Sequence, residues 1–235
     1  MEATANETIV IDESRKAVVA ELIRNVYLWM TGGLAVTGVI AWLVAGSPTL
    51  IQFFFGSKVM FWGLMIAELV LVFVLNIRIQ KFTFATASFL FLLYCALNGV
   101  LLSVIFVIYE LESIGEVFFA TAGMFAVLAT IGTYTKKDLS RLGTFLIMAL
   151  AGLIIASAVG IVMGRPENIW ITIIGVLIFA GLTVYDAQKI RMLMLNEETV
   201  NEGNMKLALL GALSLYLDFI NLLLKLLSLL GKKRR

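Results

Sequence analysis

The sequence predicts an all-α membrane protein of seven transmembrane helices. Three observations carry that reading. Of 235 residues, 61% are hydrophobic and only 14% are charged; mean hydropathy is +1.00; and the apolar residues gather into seven runs, each long enough to cross a bilayer. A hydrocarbon core of about 30 Å needs roughly 20 helical residues at 1.5 Å each. In lipid every backbone N–H and C=O must find an internal partner, so a helical bundle is the economical fold for such runs.

The runs cover residues 25–46, 52–77, 84–108, 116–134, 142–163, 168–188 and 211–230. Turn-forming residues part them, among them Gly46-Ser47-Pro48, Gly164-Arg165-Pro166 and the polar stretch from Asn196 to Asn204. Connectors this short leave no room for a soluble domain. The expected organisation is an N-terminal tail over 1–24, a membrane domain over 25–230 and a basic tail over 231–235. The first 24 residues mix acids and bases around no apolar core, which makes them a solvated or interfacial lead-in rather than a signal peptide.

Basic residues alternate along the chain. Arg15, Lys16 and Arg24 precede the first run, Arg78 and Lys81 follow the second, Lys136, Lys137 and Arg141 follow the fourth, and Lys189, Arg191 and Lys206 flank the sixth connector. The remaining connectors hold only Lys58 and Arg165, with Glu110, Glu112 and Glu116 in the third. This asymmetry places the N-terminus in the cytoplasm. Seven crossings then place Lys232-Lys233-Arg234-Arg235 outside, against the rule, unless the last helix stops short.

A net charge of +2 argues for no nucleic-acid partner. Histidine is absent, which removes Ser-His and Cys-His catalysis, histidine-ligated haem and most zinc sites. The single cysteine, Cys95, allows no intrachain disulfide. Small residues predict close helix contacts: Gly152, Ala156, Gly160 and Gly164 on one face of the fifth run, Gly32, Gly33 and Gly38 in the first, Gly175 and Gly181 in the sixth.

The last run is amphipathic. Ser214, Asp218, Asn221, Lys225 and Ser228 recur at steps of four and three, one polar stripe on an apolar helix. Charge at mid-bilayer costs at least about 2.5 kcal/mol, so this helix is expected to be an interior post. Apart from Glu116 at the very start of the fourth run, only Glu68, Asp186 and Asp218 of the acidic residues lie within apolar runs. Counted from the inner ends of their helices, Asp186 and Asp218 fall roughly 7 and 10 Å deep, so the two can be level. Two carboxylates in a poorly hydrated site cannot both be charged cheaply, and they share one proton or a cation in its place. Calcium is one such cation, with Asn221, Tyr185 or Tyr216 as further oxygen donors. Arg78 is another, through its guanidinium. Simpler readings stand beside these: Asp186 pairs with Lys189 one turn away, Glu68 and Asn98 join helices by hydrogen bonds, and Arg78 anchors the cytoplasmic end of its helix.

The final ALSLYLDFINLLLKLL, the GLTVYDAQKI that closes the sixth run and the Lys136-Lys137-Asp138-Leu139 connector together resemble the Bax inhibitor-1 family, and the likeness covers nearly the whole chain. The short acidic tail is closer to bacterial members. The resemblance implies a seventh helix surrounded by the other six and a pH-sensitive calcium leak channel in the bacterial inner membrane. It further implies a proton-sensing pair, Asp186 and Asp218, with Arg78 as latch and with Glu68 and Asn221 in support. It implies no bound cofactor, with calcium as the transported ion. Other bacterial relatives associate with a membrane protease, which makes a non-transporting regulator or scaffold the alternative.

Two rivals carry less. Intramembrane aspartyl proteases also set a Tyr-Asp against a second Asp. Here, however, Ser214-Leu215-Tyr216-Leu217 stands in place of their Gly-x-Gly, and the only prolines are Pro48 and Pro166. A retinal protein would use Lys225, but residues 84–108 offer it no carboxylate counter-ion.

Overall fold

A computed structural model describes residues 2–164 and 168–234, with side chains from Glu13 onward except those of residues 161 and 162. The expected turn at Arg165-Pro166 and the final Arg235 lie outside the described residues. Among the described residues eight α-helices follow one another: α1 (Glu2–Ala45), α2 (Pro48–Phe55), α3 (Lys58–Arg78), α4 (Phe84–Ile108), α5 (Leu111–Tyr134), α6 (Ser140–Val162), α7 (Ile169–Met194) and α8 (Glu202–Leu230). All but α2 are long and apolar enough to cross a membrane.

Several boundaries differ from the hydropathy runs. The second run divides, because Ser47 caps a separate helix with Pro48 in its first turn and Gly56-Ser57 breaks the chain before α3 begins. None of the residues of α2 is buried. Helix α7 continues past 188 to Met194, and α8 starts at Glu202, nine residues before its apolar run. Both extensions are amphipathic, so hydropathy alone hides them. Helix α1 buries Val19, Leu22, Val26 and Met30 at steps of three and four, so its packed face starts ahead of the first apolar run.

The chain forms two compact units, one of Met1–Ser103 with Ile190–Leu213, the other of Val104–Lys189 with Ser214–Arg235. In the first, α1 and α4 approach closely. Thr37 Oγ1 donates to the Cys95 carbonyl at 2.9 Å, and a Cβ on Gly99 would come 2.7 Å from the Thr37 carbonyl oxygen. Val44, Leu64 and Val100 knit α1, α3 and α4 together near one end. In the second unit, Gly132 of α5 lies against the Val184 carbonyl of α7, Gly143 of α6 against the Tyr185 ring, and Gly181 of α7 against Leu146.

The glycine stripe of the fifth run is a correction. A Cβ on Gly152, Gly160 or Gly164 meets nothing within 4 Å, and Gly152 and Ala156 are exposed. Gly164 has a separate reason to be glycine, a left-handed φ of 63°. Gly32 and Gly38 are likewise free, whereas Gly33 packs on Cys95 and Phe91, and Gly175 on the Lys225 stem. Spacing identified one face but not whether a neighbour covers it.

The C-terminal tail is tied down within the second unit. After α8, the Lys232 carbonyl accepts from Glu110 N–H at 3.0 Å and Arg234 N–H donates to Ile108 O at 2.8 Å, an antiparallel bridge of Tyr109 with Lys233. Lys232 N–H also donates to Ser113 Oγ at 3.0 Å. The tail therefore sits at the connector between α4 and α5. Trp42, Trp62 and Trp170 are exposed near one end of α1, α3 and α7 respectively.

Gly132→Ala is expected to destabilise the detergent-solubilised protein by about 1–3 kcal/mol through overpacking against α7, while Gly152→Ala leaves it unchanged or slightly more stable. Thermal unfolding of both variants checks the assignment, and equal losses would refute it.

Candidate functional site

The local sequence of α7 holds Asp186 on a rigid support. Val184 and Ala187 press against Gly132, and Tyr185 covers Gly143. Gln188 then ties the connector below: its Nε2 donates to Thr135 O at 3.2 Å and Lys137 O at 2.7 Å, and its Oε1 accepts from Leu139 N–H at 3.1 Å. Such a bridge satisfies backbone groups that a short connector leaves open. Asp138 accepts from Ser140 N–H at 2.9 Å at the start of α6. Hydrogen bonds from Ser140 hold its carboxyl below its ordinary value, so this contact is complete at neutral pH and is lost only as the solution becomes acid enough to pass that lowered value.

Asp186 itself is half-buried. Its expected local ion pair is absent: among the described residues no cation lies within ion-pair distance of it, and Lys189 Nζ instead stands 5.9 Å from the centroid of the Tyr185 ring. The longer, flexible lysine reaches back over the aromatic face rather than across to the carboxylate.

Asp218 lies on the most enclosed helix. In α8, 67% of the apolar window is buried, against 39% or less in the other spans. Asp218 is 5% exposed, and its Oδ2 has no hydrogen-bond partner among the described residues. Phe219 beside it packs edge-on to Phe118 and Phe125 of α5, with centroids 5.6 and 5.5 Å away. Asp186 and Asp218 share the second unit and feel each other's charge. A buried carboxylate with an unpartnered oxygen has an unmet demand for a proton or another positive charge.

The other expected residues fall as follows. Asn221 Nδ2 donates to Leu217 O of its own helix at 2.8 Å, so half of its amide is spent locally. Tyr216 is fully buried and Tyr185 is half-buried. Arg78, the basic residue of α3's last turn, is exposed and belongs to the first unit. Glu68 accepts from Asn98 Nδ2 and from Tyr94, which makes it the α3–α4 hydrogen-bonding residue of the simpler reading. No group of three or more carboxylate or thiolate ligands occurs among the described residues. Two carboxylates suit a transient cation better than a resident one, since calcium takes six to eight oxygens.

Sequence reasoning passed over Gln188 and Lys206. The first carried no charge. The second was counted only as a cytoplasmic lysine, yet it is 8% exposed.

Fold and site together define a multi-pass, all-helical membrane protein with acidic residues inside its last two spans. The profile described as "Inhibitor of apoptosis-promoting Bax1" matches residues 19–235, and the chain belongs to this Bax inhibitor-1 family. It is 44% identical over 212 residues to the inner membrane protein YbhL of Escherichia coli, covering 89% of this chain and 91% of that one. A protein of Borreliella burgdorferi is 40% identical over 221 residues, 91% and 94% of the two chains. A membrane protein of Streptococcus pyogenes serotype M1 is 38% identical over 185 residues, 78% and 79%.

Gln188→Leu removes three hydrogen bonds from the connector at 135–139. Hydrogen exchange of those amides is expected to accelerate by at least about tenfold, given roughly 1 kcal/mol per bond; unchanged exchange would show that the connector is held by other means.

Proposed function

We propose that the protein is a pH-sensitive calcium leak channel of the inner membrane, N-terminus inward, gated by protonation of Asp186 and Asp218. The observation that carries this reading is Asp218 itself: a carboxylate 5% exposed, one oxygen unpartnered, within Coulombic reach of a second acid. Such a pair binds either one proton or a passing divalent cation, and the two compete. Proton concentration then sets how often the pair is free for calcium. Neutralising one member removes its charge from the other, so the competition weakens.

In proteoliposomes, calcium flux of the wild type is expected to depend on pH between acid and neutral conditions. Asp186→Asn and Asp218→Asn should each flatten that profile; two variants with the wild-type profile would remove the pair from gating. Arg78→Ala tests the latch role carried by the family resemblance, and a raised basal leak is expected. A scaffold for a membrane protease or another membrane partner, the alternative reading, predicts no flux from the purified protein and undiminished partner binding by Asp218→Asn.

A further inference from the structure

Lys206 is the only lysine or arginine buried among the described residues. An anchoring lysine at a membrane surface has no reason to be enclosed, because its ammonium gains most from water and headgroups. Here the Nζ donates to Gln80 O at 3.3 Å and Phe82 O at 3.1 Å. Those carbonyls close α3 and the 3-10 turn that follows it at Ile79–Lys81, the negative end of that helical segment. One turn earlier, Glu202 Oε1 accepts from Phe84 N–H at 2.7 Å. Phe84 is the first residue of α4, a helix end that favours an anion. Residues four apart share a helix face. The first turn of α8 thus straddles the connector, with base on the finishing helix and acid on the starting one.

The same turn is fixed in its own right. Asn204 N–H donates to Asn201 Oδ1 at 3.0 Å, Asn204 Nδ2 donates to Thr199 O at 2.6 Å, and Asn25 Nδ2 of α1 reaches Met205 Sδ at 3.6 Å. Arg15 of α1 donates to Leu195 O at 3.1 Å, at the start of the same linker. We infer that Glu202 and Lys206 form a two-point clamp joining the inner end of the last helix to the connector between the second and third spans. They are positioning residues: they fix where the helix bearing Asp218 begins. Their effect on calcium leak rests on the channel reading above, whereas their effect on the connector does not.

The test uses the full-length protein in nanodiscs and in liposomes, with Lys206→Met, which keeps the stem and drops the charge, and Glu202→Gln at an exposed position. Hydrogen exchange over residues 79–84 is expected to rise at least about tenfold in both, the loss of a charge-assisted hydrogen bond. Basal calcium flux should rise while the pH midpoint stays at the wild-type value. Unchanged exchange in both variants overturns the clamp. Faster exchange with wild-type flux overturns its role in positioning the last helix. Faster exchange in a protein whose wild type carries no calcium supports the clamp and defeats the channel reading. Where Lys206→Met does not fold, Glu202→Gln decides alone.

Discussion

The constraint on which the rest depends is a carboxylate placed where water does not reach it. Asp218 sits on the most enclosed of the spans, with Leu215, Tyr216, Phe219 and Leu222 buried around it. An isolated charge in such surroundings costs several kcal/mol even after relaxation. A purely structural residue would be paired or replaced by leucine. One oxygen of Asp218 has no partner among the described residues, so the helix carries a cost that packing alone does not explain.

Contacts of their sequence neighbours hold the backbones of the two acids in place. Tyr185 and Ala187 on either side of Asp186 are wedged against glycines of α6 and α5, where no side chain intervenes. Gln188 ties that helix to the connector between α5 and α6. Phe219, next to Asp218, is gripped by two phenylalanines of α5. Both backbones are therefore held by contacts of their immediate neighbours, and α5 takes part in both.

Much of this was legible in the sequence because lipid imposes a simple rule. Long apolar runs must be helices, and a charge within one must face inward, which is why seven spans, Glu68, Asp186 and Asp218 could be read without a structure. Backbone partners leave no such trace. Nothing about Lys206 announces that its ammonium is met by two carbonyls, and Gln188 looks like any polar residue at a helix end. The glycines mislead for a related reason. Gly152, Gly160 and Gly132 are equivalent as letters, but only Gly132 has another helix against it. Periodicity assigns a face, and only tertiary structure assigns its neighbour. The split of the second run turned on a local cap, Ser47 with Pro48, which hydropathy averages away.

Helix α8 is anchored near both of its ends. The first turn of α8 is tied through Glu202 and Lys206 within one unit. Its last turn runs into a tail hydrogen-bonded to residues 108–113 within the other. Sliding by a single residue is a movement of about 1.5 Å along the axis, enough to break hydrogen bonds whose useful range is only a few tenths of an ångström. Axial motion is thus a costly way to relieve repulsion between Asp218 and Asp186. Rotation is opposed by the aromatic contacts of Phe219. In the proposed channel, with both routes resisted, the conflict between the two acids is met by one proton or one cation shared between them.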